Sequence, residues 1–289
     1  MPSKLTSSLQ PGLYLISTPI GNLDDISIRA VSVLGKVDRV ACEDTRHTRI
    51  LLERHNIKTR LLPYHEHNAE SMRPAIMARL THGETIALVS DAGTPLISDP
   101  GYKLVRKAIA AGLYVSALPG PCAALMALTL SGLPSDRFMF VGFLPSKHQA
   151  RKKKLNSLVS LDTTIVFFET ARRLSACLQD MLDVFGDRDI AIARELTKIH
   201  EETIRGALKE VLLNYANKNN LKGELTIVLA PPPKSNSGFS EEFIDTRILQ
   251  LVENKSARDT VAELSKETGL SKRSLYARLL LLKNTRNNN

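Results

Sequence analysis

Short apolar runs alternate with amphipathic stretches through the first half of the chain. Runs at 13–17, 39–42, 60–64, 85–89 and 114–118 are bounded by turn residues and have the length of buried strands. Helical patterns lie between them. The first starts near Asp24 and Asp25, whose acids suit the positive end of a helix dipole, and runs to about Leu34. The second follows the polar group Glu43-Asp44-Thr45-Arg46-His47 and continues to about His55. A third precedes Gly83, and a fourth spans 102–111. A helix of small residues then follows Pro119-Gly120-Pro121-Cys122-Ala123-Ala124 and ends near Gly132. Strands alternating with helices of this length predict an α/β fold with a parallel, doubly wound sheet.

The pattern changes near Phe138. Strand-like runs at 138–143, 163–169, 189–194, 201–206 and 225–229 predict a second, mixed sheet of five strands. A basic helical stretch covers 147–158, and another helix follows the strand ending at Glu169 and runs through Phe185. Pro231-Pro232-Pro233-Lys234-Ser235-Asn236-Ser237-Gly238 has the composition of a linker. Beyond it, Ser256 and Asp259 form a capping box for a helix reaching Glu267. Thr268-Gly269-Leu270 is a turn, and Ser271 caps a last helix, so the tail reads as a small helix-turn-helix-like appendage. The expected organisation is an N-terminal α/β domain at 1–134, a second α/β domain at 135–231, a linker at 232–240 and a helical appendage at 241–289.

One stretch is too long for an ordinary connection. Ser90-Asp91-Ala92-Gly93-Thr94-Pro95-Leu96-Ile97-Ser98-Asp99-Pro100-Gly101 falls between a strand and a helix. Its glycines and prolines fix an unusual backbone course. In a parallel sheet it would share one edge with the loops at Thr18–Asn22 and Pro119–Ala124, where open α/β sheets bind ligands.

Composition narrows the classes. Hydrophobic content of 43% and charged content of 24% are those of a soluble globular chain. No apolar run approaches the roughly 18 residues of a membrane span. The N-terminus has no signal-peptide core, and Cys42, Cys122 and Cys177 are scattered, so a reducing cytoplasm is expected. The net charge of +9 favours a polyanionic partner. No G-x-G-x-x-G, P-loop, G-x-S-x-G or H-E-x-x-H occurs. His65 and His67 lack a carboxylate or cysteine set to complete a metal shell, so no metal is expected.

The blocks Ser17-Thr18-Pro19-Ile20-Gly21-Asn22, Glu43-Asp44-Thr45-Arg46, Ser90 to Gly101 and Leu118-Pro119-Gly120-Pro121 resemble the tetrapyrrole methylase family. Gly142-Phe143-Leu144-Pro145, Phe167-Phe168-Glu169 and Ala193-Arg194-Glu195-Leu196-Thr197-Lys198-Ile199-His200-Glu201-Glu202 are similar to its branch that methylates ribosomal RNA. The resemblance runs from about Gly12 to Ala230 and continues into the tail. It implies S-adenosyl-L-methionine in a cleft between two α/β domains, a homodimer, and 2′-O-methyl transfer to a cytidine in the decoding centre of 16S rRNA within the small ribosomal subunit. The cofactor contacts it implies are Pro19, Ile20, Asp91, Ala92, Gly93, Thr94, Pro95, Cys122, Ala123, Phe168, Ala193 and Ala230. Cys122 stands where relatives often have Ser or Thr, so a backbone contact there would survive and a hydroxyl contact would not.

A ribose hydroxyl is a weak nucleophile, so a general base or a nearby cation helps its transfer chemistry. The candidates are Glu43, Asp44, Glu195 and Lys198, with His65, Glu66, Glu169 and Arg194 also in range of strand ends. Glu43-Asp44-Thr45-Arg46 reads equally well as a helix cap with local ion pairs. For RNA, Lys147, Arg151, Lys152, Lys153 and Lys154 form an acid-free basic stretch, joined by Arg172, Arg173 and Arg194 and, in the tail, Lys272 and Arg273. A corrinoid or porphyrin methylase and a ligand-sensing DNA-binding regulator are the competing readings; the basic stretch disfavours the first and the polar loop blocks the second.

Overall fold

A computed structural model describes residues 9–216, 223–233, 241–252 and 255–287 of the chain. They form two compact units, 1–231 and 232–289.

The first unit opens with β1 (Gly12–Ile16), α1 (Ile28–Leu34), β2 (Arg39–Cys42), α2 (Thr45–Arg54), β3 (Arg60–Pro63), α3 (Ala69–Thr81), β4 (Thr85–Leu88), α4 (Tyr102–Ala110) and β5 (Val115–Leu118). The five strands pair in parallel in the order β3-β2-β4-β1-β5. Both faces of this sheet are apolar, which is why its strands read as continuous hydrophobic runs. Tyr14, Ile16, Val40, Cys42, Ala87 and Val89 point to one face and meet α1 and α2 through Val33, Leu34, Leu51 and Leu52. Leu13, Ala41, Ile86 and Leu88 point to the other and meet α3 and α4 through Ile76, Leu80, Leu104 and Ala108. The sheet is doubly wound, as the strand–helix alternation predicts.

The helix expected from Asp24 starts later. Asn22 accepts the Asp24 amide at 3.1 Å and closes a single 3-10 turn, Leu23–Asp25. Ile26 is extended, and Ser27 then caps α1 by accepting the Ala30 amide at 3.1 Å. Two capping side chains, Asn22 and Ser27, five residues apart, divide what one acidic start announces as a single helix.

α5 (Ala123–Ser131) links the two halves of the unit. It leaves β5 but packs on the second sheet, where Ala124, Ala127 and Leu128 meet Val166, Ala191, Ala193 and Val228. Its alanines let the helix backbone approach that sheet closely. The second half comprises β6 (Phe138–Phe143), α6 (His148–Asn156), β7 (Thr164–Thr170), α7 (Leu174–Phe185), β8 (Asp189–Arg194), β9 (Glu202–Ala207), α8 (Leu208–Ala216) and β10 (Glu224–Leu229). Its sheet has the order β6-β7-β10-β8-β9; only β6 and β7 are parallel. α8 was not marked by the sequence pattern. It follows β9 without a break and buries Leu208, Val211 and Tyr215 against the core of α7.

α9 (Glu241–Val252), α10 (Ala257–Thr268) and α11 (Lys272–Asn287) make the second unit. Ile248, Leu251, Val261, Leu264, Leu275 and Leu279 form its core. Ser256 caps α10 by accepting the Asp259 amide at 3.2 Å, Gly269 ends it at φ +71°, and Ser271 accepts the Ser274 amide at 3.1 Å. This helix-turn-helix is braced by α9, whose Asp245 takes both arms of Arg278 at 2.7 and 2.8 Å. The expected linker lies outside the described residues from 234 to 240.

Candidate active site

Parallel strands bring the loops after β1, β2, β4 and β5 to one edge of the first sheet. Hydrogen bonds knit these loops together. Thr18 and Gly93 exchange both backbone bonds, at 2.9 and 3.0 Å, and the Thr18 hydroxyl donates to the Ser90 carbonyl at 3.1 Å. The Thr94 hydroxyl lies 3.1 Å from that of Ser17 and donates to the Pro121 carbonyl at 3.0 Å. Asp91 accepts the Asp44 amide at 2.9 Å, tying the end of β2 to the end of β4. The long loop also holds left-handed backbone at two non-glycine residues, Leu96 at φ +73° and Ser98 at φ +69°. Strain of that kind costs about 1–3 kcal/mol per residue and persists where surrounding structure enforces it.

The second sheet supplies the facing wall. Because β10 runs antiparallel to β7 and β8, its first residues, Glu224 to Thr226, meet the last residues of those strands. Strand alternation then turns Phe168, Ala193 and Thr226 toward the first sheet's loops. The Phe168 ring packs edge-on to Phe140, centroids 4.9 Å apart, and lies 5.6 Å from Phe143.

Residues 195–201 form a strap between the walls. Glu195 and Thr197 adopt φ +49° and +65°. The Thr197 hydroxyl accepts the Asn22 amide at 3.0 Å, and Lys198 bridges Glu195 at 2.9 Å and Glu224 at 3.0 Å. Gly21 is where the strap touches the β1 loop. A Cβ there would lie 2.5 Å from Lys198 Cγ, 2.7 Å from the Thr197 hydroxyl and 2.9 Å from the Leu196 carbonyl.

Between the walls lies a cavity of about 270 Å³. Ile20, Asp91, Ala92, Gly93, Thr94, Cys122 and Ala123 line it from the first sheet, and Phe168, Ala193, Glu195, Leu196, Lys198 and Thr226 from the second. Its charged lining is mostly acidic. Burial, relieved in part by a hydrogen bond from Ser90, and the neighbouring Glu43 and Asp91 push Asp99 up to about 6. Burial, then Asp91, likewise raises Glu43. Burial pushes Glu195 up, but the Glu224 amide and the Lys198 ammonium outweigh it and hold the carboxyl below its usual range. Burial disfavours the Lys198 ammonium, yet its bonds to Glu195 and Glu224 keep its affinity for the proton above normal.

The structure thus brings together most of the expected contacts and separates others. Pro19 lines a shallow recess beside the cavity with Thr18, His47 and Ser90, and Pro95 is buried within its loop. Ala230 is at the wrong end of its strand. The antiparallel course of β10 carries it to the opposite sheet edge, where its amide bonds the Asp189 carbonyl at 2.9 Å, and Thr226 takes the place by the cavity. Asp44 is spent as the α2 cap: it accepts the Arg46 amide at 2.8 Å and the Arg46 guanidinium at 2.7 Å, which holds its carboxyl well below the usual range. Glu43 stands behind Asp91 and Asp99 rather than at the wall. Arg194 alternates with Ala193 onto the far face, where it lies 3.5 Å from Glu202 and near Tyr215. Glu169 borders the cavity, but its carboxylate is taken up: it accepts the Thr170 amide at 2.7 Å and lies 3.2 Å from Arg173.

Two cations of the basic stretch, and Arg173 beyond it, are also otherwise engaged. Arg151 is 5% exposed and binds Asp180 at 2.7 Å, because the inward side of α6 packs on α7. Lys152 binds Asp183 at 2.6 Å, and Arg173 donates to the Leu144 carbonyl at 2.5 Å. Lys147, Lys153, Lys154 and Arg172 remain exposed in this unit, as do Lys272 and Arg273 at the start of α11. Cavity residues that the sequence reading did not single out include Ile97, Ser98, Asp99, Phe143, Leu196 and Thr226. Strand parity from Phe168 would have found Thr226 once the register was known.

Residues 12–212 match the family described as Tetrapyrrole (Corrin/Porphyrin) Methylases. A protein of Mesorhizobium japonicum named ribosomal RNA small subunit methyltransferase I is 47% identical over 278 residues, covering 96% of this chain and 94% of its own. A protein of the same name from Xylella fastidiosa is 44% identical over 270 residues, covering 92% and 98%. Among solved structures, a uroporphyrin-III-C-methyltransferase from Thermus thermophilus has a TM-score of 0.55 at 18% identity, covering 76% of this chain and 94% of its own. A uroporphyrin-III C-methyltransferase of that organism complexed with S-adenosyl homocysteine has a TM-score of 0.53 at 16% identity, covering 75% and 96%. The shared fold, the matched residues and identities above 40% over nearly the whole length place the chain plainly: it belongs to the tetrapyrrole methylase family, alongside the relatives named ribosomal RNA small subunit methyltransferase I.

Proposed function

We propose that the protein transfers the methyl group of S-adenosylmethionine to the ribose 2′-oxygen of a cytidine in the decoding centre of 16S rRNA, with the assembled small ribosomal subunit as substrate. The observation that carries the reading is the acidic cavity at the carboxyl ends of the parallel sheet, combined with the names of the relatives. Glu195 and Glu224 share the lining's one lysine, Lys198, and with Asp91 beside them the lining suits a sulfonium and an ammonium. Gly93, at φ +82°, has room for a ligand-facing backbone that a Cβ 3.3 Å from Ile20 would narrow. The bound sulfonium supplies an activated methyl group, so the protein's task is to hold a hydroxyl in line with it and keep water out. Phe168, Ile20 and Leu196 give apolar walls to that end.

The alternatives fit less well. A carboxylate-bearing tetrapyrrole would meet like charges in this lining, and a DNA-binding regulator leaves the strained, polar cleft without a role. RNA is met by the exposed cations Lys147, Lys153, Lys154 and Arg172, and by Lys272 and Arg273 in the appendage. Reversing Lys153 and Lys154 to Glu is expected to weaken small-subunit binding and to lower its salt slope by about one for each phosphate contact removed. Filter binding between low and moderate salt reads both effects. A homodimer in the cytoplasm, implied by the resemblance, completes the reading.

The deciding experiment incubates labelled S-adenosylmethionine with small subunits from cells lacking this protein. Label on a cytidine ribose is the expected result. Label in a tetrapyrrole, with none in rRNA ribose, overturns the reading.

A further inference from the structure

We propose that Asp99 is the group that takes the proton from the acceptor hydroxyl; this rests on the ribose-methylation reading above. The argument is by position and partner. A proton acceptor must line the cavity and have a carboxylate or imidazole not already committed to a cation. Glu195 and Glu224 share the Lys198 ammonium. Glu169 borders the cavity, but its carboxylate lies 3.2 Å from the Arg173 guanidinium. Asp91 makes no ion pair among the described residues either, but its Oδ1 accepts the Asp44 amide at 2.9 Å, so the loop's own backbone holds that carboxylate. Asp99 lines the cavity, and among the described residues it makes no ion pair. Its charged neighbours are the carboxylates Glu43 and Asp91, and beside it stands the Ser90 hydroxyl, which donates to the Ala92 and Gly93 carbonyls at 3.3 Å.

The backbone explains how it comes to be there. Ser98, directly before it, sits in left-handed conformation, and Ser98 Oγ would lie 3.0 Å from a Cβ on Gly142 of β6. The loop passes close to the second sheet at this point, and Asp99, the next residue, lines the cavity. Burial first, and then the two neighbouring carboxylates, raise the proton affinity of this carboxyl toward neutrality, where a base works best.

The step balances without a further reagent. The 2′-hydroxyl proton passes to an oxygen of the Asp99 carboxylate. The ribose oxygen forms its bond to the methyl carbon as the methyl–sulfur bond breaks, and that electron pair stays on sulfur, leaving a neutral thioether. The proton then leaves Asp99 to solvent. Lys198, as a retained cation, cannot serve as the base.

Asp99→Asn tests this on the full chain with undermethylated small subunits. Single-turnover transfer is expected to fall about 100-fold to 10,000-fold, while calorimetric affinity for S-adenosylmethionine stays within about threefold, a change under 1 kcal/mol. In the unsubstituted protein the rate should fall as pH drops through about 6, where Asp99 becomes protonated. Carbon-13 carboxyl NMR should find one aspartate titrating there, missing in Asp99→Asn. Retained transfer in the variant, a flat profile from pH 5 to 8, or joint loss of cofactor binding each overturns the assignment. If the unsubstituted protein places label elsewhere than on a ribose, the underlying reading falls instead, whatever Asp99 does.

Discussion

Asp180→Ala is expected to lower the free energy of unfolding by about 3–5 kcal/mol. Asp180 is 2% exposed and sits on the inward face of α7. It takes Arg151 at 2.7 Å and His148 at 2.9 Å, both from α6. Truncation leaves the Arg151 guanidinium buried with only backbone carbonyls, those of Ser146 at 3.2 Å and Ala176 at 3.5 Å. A buried charge stripped of its partner costs far more than the intact pair contributes. The double change Arg151→Met with Asp180→Leu should therefore recover most of the loss. Urea unfolding, with the slope checked for constancy, measures both variants. A loss below about 1 kcal/mol, the range of exposed pairs, would mean that the pair is solvated in solution. The pair also fixes the orientation of α6, and so decides which lysines of the basic stretch face outward.

Gly21→Ala should weaken S-adenosylmethionine binding by about 5-fold to 150-fold, the equivalent of roughly 1–3 kcal/mol of overpacking. The added methyl group meets two groups of the strap that cannot easily move. Thr197 is held by the Asn22 amide and its own amide bonds Glu201 at 2.6 Å, and the Leu196 carbonyl is backbone. The strap must lift from the β1 loop, carrying Leu196 and Lys198 away from the cavity wall. Calorimetry reads the affinity and thermal unfolding reads the fold. Unchanged affinity would remove the strap from any role in shaping the site. Thr197→Val, which deletes the Asn22 bond without adding bulk at Gly21, should give a smaller effect in the same direction.

The two sheets were legible because burial on both faces leaves its mark in the chain itself. The runs at Leu13, Val40, Ile86 and Ile165 are apolar wherever they look, and no other fold class uses so many of them between helices. The loops at the cavity edge were legible because glycine permits backbone that other residues avoid and proline fixes φ, so their clustering marks irregular structure. Asp91 shows the limit of such a reading. Its place beside the cavity follows from the loop, but its bond to the Asp44 amide joins positions separated by forty-seven residues and depends on β2 and β4 being neighbours.

Side-chain direction was the property that sequence left open. Arg194 and Glu195 are adjacent, yet one faces Glu202 and the other the cavity, because strand alternation ends where Glu195 enters left-handed backbone. Arg151 and Lys153 belong to one basic run, but a helix packed along one side buries the first and exposes the second. Thr226 lies in β10 and Ala230 just past its end, and only the strand's antiparallel pairing decides which of them reaches the cavity. The sequence by itself determined the elements, their α/β alternation and the family, since these rest on local conformational preference and burial. The tertiary structure alone decided which carboxylates keep a free oxygen at the cavity, because a charge is neutralised by whatever the fold places within a few ångströms of it.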